Sequence, residues 1–454
     1  MPDRIDRRIR AFQTSPESVS DSHFIVDYRF SPETGFSLEE STFRTLLITS
    51  QRTIKPLRYE PGSDRELVDG SIDDVGAYIP IQQGPSGSGL VTIALPLHLC
   101  SKTESLTGLI QLIGSGAEYS YTKEYWIERL TLPTDFVLRF KGPRFGIEGI
   151  RSKFNVHSRP LVGLILKPRR GVPLSTIKAV ASEALEGGAD FICDDLLMTD
   201  PDGELSFSNR VPIFADLARL ITDRTGEKKS YICNVAATPF RSARYIESAI
   251  AVGVDAVMLN GFSMGIGAIA DLVDLMPEQA RLPVISTNMG VALMARAPTQ
   301  DHTTLTQTGI SEAIIAKLCR LGGADAVHTG TVDSECYGEM EWSDAQKAVQ
   351  ERMGSIRRCF AVAEGDLQLA NLWENIASLG PDVLIEATSG IVNYPGGARK
   401  GAAMFRRFVD ELDGINMDDR SAYTHIRAMA RRDANLRQVL TREGFEIDEH
   451  GNRT

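Results

Sequence analysis

Residues able to move protons or hold anions recur at the ends of short apolar runs in the second two-thirds of this chain. Lys167 and Arg169 follow the first run; Cys193, Asp194 and Asp195 follow the second. Asn234 follows the third and Asn260 the fourth, while Ser286, Thr287 and Asn288 end the fifth. His328 with Thr329–Thr331 ends the sixth, Glu364 the seventh, and Thr388, Ser389 and Gly390 the eighth. An apolar run ending in Lys-Pro-Arg-Arg aims cations at one place, and a lysine or histidine there can exchange a proton during enolisation. A turn of small residues such as Thr388-Ser389-Gly390 can offer peptide N–H groups to a phosphate. Asp195 and Asn234 suit substrate hydroxyls. The chemistry these types support is proton transfer beside a carbonyl in an anionic, phosphorylated compound.

Each candidate has a competing structural role. Lys167 could be a surface lysine at a strand end. Asp195 could do no more than cap the following turn. His328 could be a satisfied core histidine. Cys193 and Cys336 could be small buried hydrophobes, not nucleophiles. Lys167, Arg169, Asp195 and His328 therefore form the catalytic set. Asn234, His328, Thr388, Ser389 and Gly390 form the substrate- and phosphate-binding set, with Cys193, Asp194, Ser286 and Glu364 in a second rank. Asp194-Asp195 alone is a weak metal signal, and only Asp195 is put forward as a ligand if a metal binds at all.

The runs that must position these residues are Leu161–Lys167, Phe191–Asp195, Tyr231–Val235, Ala256–Asn260, Pro283–Thr287, Ala326–Thr329, Cys359–Ala363 and Val383–Ala387. Helical patterns separate them: Ile177, Val180, Ala181, Ala184 and Leu185 share one face. The spacing of roughly 25 to 40 residues is that of βαβ units. A faint repeat marks every second unit: Gly187-Gly-Ala-Asp190, Gly253-Val-Asp255, Gly322-Gly-Ala-Asp325 and Gly380-Pro-Asp382. Eight units with a period of two predict a closed (β/α)8 TIM barrel, with its site at the carboxyl ends of the strands. An open doubly wound sheet is the rival, but Gly265-Ile-Gly267 lacks the third glycine of a dinucleotide loop.

The N-terminal part reads differently. Phe24–Phe30 alternates like a strand, Leu38–Leu47 has helical spacing behind a Ser37/Glu40 capping box, and Leu90–Leu95 and Trp126–Leu132 read as strands. This predicts an α+β, ferredoxin-like domain over 23–150, after a loosely ordered 1–22, with Gln82–Gly89 as a loop. The barrel is assigned to 151–415. Tyr423–Met429 and Leu436–Leu440 are assigned to a helical extension over 416–454. The chain of 454 residues carries 49 Lys+Arg and 60 Asp+Glu, a net charge of −11. That balance gives no global attraction for nucleic acid or anionic lipid. No apolar stretch is long enough to span a bilayer, and the charged N-terminus lacks the core of a signal peptide. Six scattered cysteines without a CxxC pair predict reduced thiols in a cytoplasmic protein.

Four segments carry a family resemblance. Gly163-Leu-Ile-Leu-Lys-Pro-Arg-Arg-Gly171 is similar to the strand-one segment of the ribulose-bisphosphate carboxylase (RuBisCO) large subunit. Gly187-Gly-Ala-Asp-Phe-Ile-Cys-Asp-Asp195 resembles its strand two, His328-Thr-Gly-Thr331 its strand-six end, and Tyr394-Pro-Gly-Gly-Ala-Arg-Lys-Gly-Ala402 its phosphate-side segment. The resemblance implies that Lys167 stands at the proton-abstracting lysine position and that Asp195 and His328 are retained, with Arg169 in place of a lysine. It also implies a homodimer in which the N-terminal domain completes the neighbour's site. The stretches near Ser50–Lys55 and Ser115–Gly116 lack the family's glutamate and asparagine.

Against that pattern, Cys193 stands where the family forms a lysine carbamate, and Leu196 stands where it has a magnesium-binding glutamate. Ser286 and Thr287 replace a histidine and an arginine, Glu364 replaces a serine, and the loop Val332–Gly338 lacks a lysine. Magnesium wants hard oxygen ligands, so its site is degraded at Cys193 and Leu196 and no cofactor is assigned. The expectation is a RuBisCO-like protein of the form IV type, not a carboxylase, acting on a phosphorylated keto-sugar or 3-oxo-sugar-acid as a decarboxylase or C–C hydrolase. A magnesium-dependent enolase or isomerase of the methionine-salvage type and a non-catalytic sugar-phosphate binder are the alternatives.

Overall fold

Eight short parallel strands close into a barrel in a computed structural model that describes residues 9–15, 19, 21–51, 76–83, 87–100, 105–295, 308–332, 341–412, 419–445 and 447. The chain divides into two units. One takes Met1–Lys141, Gly290–Leu318 and Met353–Ile356; the other takes Gly142–Met289, Cys319–Arg352 and Arg357–Thr454. Among the described residues no helix is long and apolar enough to cross a membrane.

The first unit is built on a mixed sheet. Strands β1 (His23–Pro32), β2 (Ala77–Gln83), β3 (Gly89–Pro96) and β4 (Thr122–Thr131) are antiparallel neighbours, and β10 (Thr308–Ile310) joins β4 in parallel. Alternation in β1 buries Phe24, Val26, Tyr28 and Phe30 completely. The helix Leu38–Gln51 starts where Ser37 Oγ accepts the Glu40 N–H at 3.0 Å. The predicted loop Gln82–Gly89 is shorter than expected, since Gln82 and Gln83 remain in β2 and Gly89 opens β3. Residues 84–86 of that loop lie outside those described, as do residues 1–8.

The barrel of the second unit comprises β5 (Leu161–Leu166), β6 (Phe191–Asp194), β7 (Ser230–Asn234), β8 (Ala256–Asn260), β9 (Val284–Thr287), β11 (Ala326–His328), β12 (Phe360–Glu364) and β13 (Val383–Ala387), closed by pairing of β13 with β5 and of β9 with β11. Leu161, Ile165, Phe191, Cys193, Ile232, Met258, Ile285, Val362 and Leu384 belong to one packed interior cluster. A Cβ on Gly163 would lie 2.2 Å from the Phe191 ring, so glycine makes the room this aromatic fills. The alternate residues of each strand point outward to the helices, as the two-residue strand period requires.

The glycine–aspartate repeat has a structural cause at the amino ends of the strands. Asp190 accepts the Val162 N–H, Asp255 the Tyr231 N–H and Asp325 the Val284 N–H, at 2.9, 3.0 and 3.0 Å. Each of these three aspartates thus satisfies a backbone donor on the strand before its own, whereas Asp382, the fourth of the repeat, accepts from Arg151 Nη2 at 2.7 Å. Of the paired glycines, the second takes the positive φ: Gly188 and Gly323 both stand at 110°, a conformation that costs other residues a steric clash. The C-terminal helices are Asp419–Arg432 and Ala434–Arg442.

Candidate active site

The inward parity of the barrel strands gathers a polar tier at their carboxyl ends. Lys167 lies one residue beyond β5; Cys193, His328, Glu364 and Glu386 sit on β6, β11, β12 and β13. Lys167 and the Thr388–Gly390 turn occupy the same rim, because Thr388 Oγ1 donates to the Ile165 carbonyl at 3.2 Å. Lys167 is about a third exposed, with its side chain at 38%, and its Nζ stands 3.5 Å from Glu364 Oε1. Burial raises the Glu364 carboxyl, an effect opposed by the Lys167 ammonium and its hydrogen bond and increased by Asp195.

Beneath this pair lies a buried group of titratable side chains. The Glu386 side chain is wholly enclosed, and neither of its oxygens has a hydrogen-bond partner. Burial and then the Glu364 charge push its carboxyl up to about 8, against the pull of Lys167 and the Cys193 thiol. His328 Nε2 stands 3.6 Å from Glu386 Oε2. Burial and the Lys167 charge lower the imidazole to about 3, so this contact joins a neutral ring to a neutral acid at neutral pH. His328 can therefore donate or accept one hydrogen bond but brings no charge to an anion. Burial pushes the Cys193 thiol far up, helped by Glu386 and Asp194, which leaves it un-ionised.

Other sequence candidates are placed less directly. Asp195 is half-buried at the rim, where its Oδ1 accepts the Leu197 N–H at 2.9 Å, the turn-capping role weighed above. Asn234 spends its amide on the same turn, donating to the Asp195 and Leu196 carbonyls at 3.2 and 2.8 Å and accepting the Ala236 N–H at 2.9 Å. It shapes the rim and leaves little capacity for a ligand hydroxyl. Ser389 Oγ accepts from Gln368 Nε2 at 2.9 Å. Gly390 is needed for packing, since a Cβ there would lie 2.7 Å from the Leu367 carbonyl oxygen. Arg169 is exposed, and with Arg170 it lines a cleft of about 580 Å³ together with Asp202 and Glu204.

Two second-rank candidates face away from the lumen. Asp194 lies on the outer face of β6, where Arg210 Nη2 stands 2.8 Å from its Oδ2, with both side chains fully buried. Tyr231 Oη and the Asn234 N–H complete its shell at 2.8 Å each, so it holds the helix Phe207–Thr225 to the barrel and does not reach the site. Ser286 follows the inward Ile285 and so points to the helix side, close to Gly261. Cys336 and most of the loop Val332–Gly338 lie outside the described residues, as do residues 52–55 of the stretch near Ser50–Lys55. Glu386 was not among the candidates, although a glutamate inside Val383-Leu-Ile-Glu-Ala387, two residues before Thr388, carried the signal.

Residues 146–441 match the family model for the ribulose bisphosphate carboxylase large chain, catalytic domain. The ribulose bisphosphate carboxylase of Archaeoglobus fulgidus is 29% identical over 406 residues, covering 86% of this chain and 88% of that one. That of Thermococcus kodakarensis is 28% identical over 425 residues, covering 88% and 91%. Among solved structures, the octameric ribulose-1,5-bisphosphate carboxylase/oxygenase of Pyrococcus horikoshii superposes with a TM-score of 0.81 at 24% identity, covering 97% and 99%. The dimeric archaeal Rubisco of Hyperthermus butylicus does so with 0.80 at 23% identity, covering 96% and 99%.

Proposed function

The chain belongs to the ribulose bisphosphate carboxylase large-chain family, and from that membership we propose that it is a RuBisCO-like enzyme that does not fix CO2. Its substrate on this reading is a phosphorylated 3-oxo-sugar-acid or related keto-sugar, and its reaction is decarboxylation or hydrolytic C–C cleavage through an enolate. The observation that carries the reading is the tier beneath the rim. An un-ionised thiol, Cys193, faces a neutral carboxyl, Glu386, at the position where the family's carbamate lysine would stand.

The family's magnesium does not fit these residues. Leu196 packs in the barrel's interior cluster, Asp194 is locked to Arg210, and Asp195 is engaged by the Leu197 N–H. Among the described residues no three His, Cys, Asp or Glu side chains converge on a common ion position. An un-ionised thiol cannot replace the hard oxygen ligands magnesium requires. Each electrostatic stabiliser removed from an enolate or carboxylation step costs on the order of a hundred- to a thousandfold in rate. Loss of several disfavours CO2 addition most, because a β-keto acid already carries the electron-accepting carbonyl that its C–C cleavage needs.

In this scheme Lys167 moves the proton at the substrate carbon, with Glu364 beside it to balance charge. Arg169 at the rim and the turn Thr388–Gly390 hold the phosphate, and Asp195 orients the sugar. His328, neutral and buried, supplies a single hydrogen bond at the floor. The working form on this reading is a homodimer. The test is turnover of a 3-oxo-sugar-acid phosphate by wild type and Lys167→Ala. The variant should fold normally and lose turnover, and unchanged turnover dismisses the assignment. Stoichiometric magnesium in the purified protein, with inhibition by chelator, would instead favour the enolase or isomerase.

A further inference from the structure

Glu364 and Glu386 are register partners on the adjacent strands β12 and β13, so their side chains project to the same face of the sheet. Glu364 reaches the rim and meets Lys167 at 3.5 Å, whereas Glu386 is sealed below it. The groups facing Glu386 are Glu364 from β12, Lys167 from the end of β5, Cys193 from β6 and His328 from β11. None of them satisfies a second anion. The thiol is un-ionised, the imidazole is uncharged, and the one ammonium is already met by Glu364. Two carboxylates against one ammonium, with Asp195 acting on Glu364 as well, leave an excess negative charge among buried side chains. Retaining one proton on the enclosed member removes that excess.

We propose that Glu364 and Glu386 form a one-proton carboxyl pair, in which the enclosed Glu386 keeps the proton and Glu364 carries the charge that partners Lys167. The proposal rests on the decarboxylase reading above and adds which carboxyl holds Lys167 in its charged, proton-donating form. When the bond to the carboxylate carbon breaks, CO2 leaves and the electron pair stays behind as the enolate. The enolate carbon takes a proton from the Lys167 ammonium, giving product and a neutral amine. Solvent at the exposed rim returns the proton to the amine, and Glu364, kept ionised by its neutral neighbour, stabilises the ammonium so restored. Glu386 touches no substrate and acts as a positioning residue for charge.

The pair can be observed without any substrate. Infrared difference spectra of the full-length protein, recorded across pH, report the C=O stretch of a protonated carboxyl separately from that of carboxylates. The wild type should show such a band at neutral pH and lose it with a midpoint near 8. Glu386→Gln should lack the band, and Glu386→Asp should restore it. Glu364→Gln should move its midpoint down by about one pH unit or more, because the neighbouring charge is gone. A wild type without the band, a band that survives Glu386→Gln, or a midpoint unmoved in Glu364→Gln each overturns the pair. Circular dichroism of each variant establishes that the fold is retained. Absence of β-keto-acid turnover alone would sink the decarboxylase reading while leaving these spectra unchanged, so the two failures are distinguishable.

Discussion

Glu386→Gln should gain stability relative to the wild type as pH increases. In the unfolded chain this carboxyl titrates near its ordinary 4.5, and in the folded barrel near 8. Below about 4.5 both states are protonated and the group takes nothing from stability. As pH rises from there to about 8, the unfolded chain releases its proton and the folded chain does not, so stability falls at about 1.4 kcal/mol per pH unit. Over that interval the loss reaches about 5 kcal/mol and then levels off. Glutamine keeps the shape and cannot titrate, so it escapes this loss. Its amide is also enclosed without partners, a penalty of about 1–3 kcal/mol that does not vary with pH. The slope of the difference is therefore the diagnostic quantity. Urea unfolding of both proteins between about pH 5 and about pH 9 measures it. A difference that widens by several kcal/mol and then flattens is expected, and parallel curves would refute the burial argument.

Three further expectations concern the same barrel. His328 is lowered to about 3, so the folded state resists protonation and its stability declines as pH falls from 6.5 toward 3. His328→Gln should therefore unfold at lower pH in an acid titration followed by circular dichroism. Gly163→Ala places a Cβ into the Phe191 ring and should cost about 1–3 kcal/mol in denaturant unfolding, partly recovered by pairing it with Phe191→Leu. Arg210→Met leaves Asp194 buried without its partner and should cost about 3–5 kcal/mol, seen as a large drop in melting temperature.

The barrel was legible because hydrophobic periodicity and the glycine stops are local. Ala256–Asn260 and Val383–Ala387 were located to the residue, and the other six strands fall within one residue of their expected ends. β10 was not foreseen, since its three residues gain strand character only by pairing with β4, far away in sequence. β2 escaped notice as well: Ala77-Tyr-Ile-Pro-Ile-Gln-Gln83 carries a proline and short alternation. Within the site, strand ends identified which residues reach the rim, but not what each side chain does there. Asp194 and Asp195 are adjacent in sequence, yet the strand period turns one outward to Arg210 and the other to the rim. The neutrality of His328 and Cys193 depends on burial, which no single residue type announces. Glu386 was overlooked because an acidic residue within an apolar strand was read as part of the run.

The measurement that bears most directly on the central claim is CO2 release from a 3-oxo-sugar-acid phosphate by chelator-treated protein. Release by the wild type without added magnesium, abolished in Lys167→Ala, is the predicted result. Undiminished release by Lys167→Ala, or magnesium-dependent CO2 uptake onto ribulose bisphosphate, would contradict it.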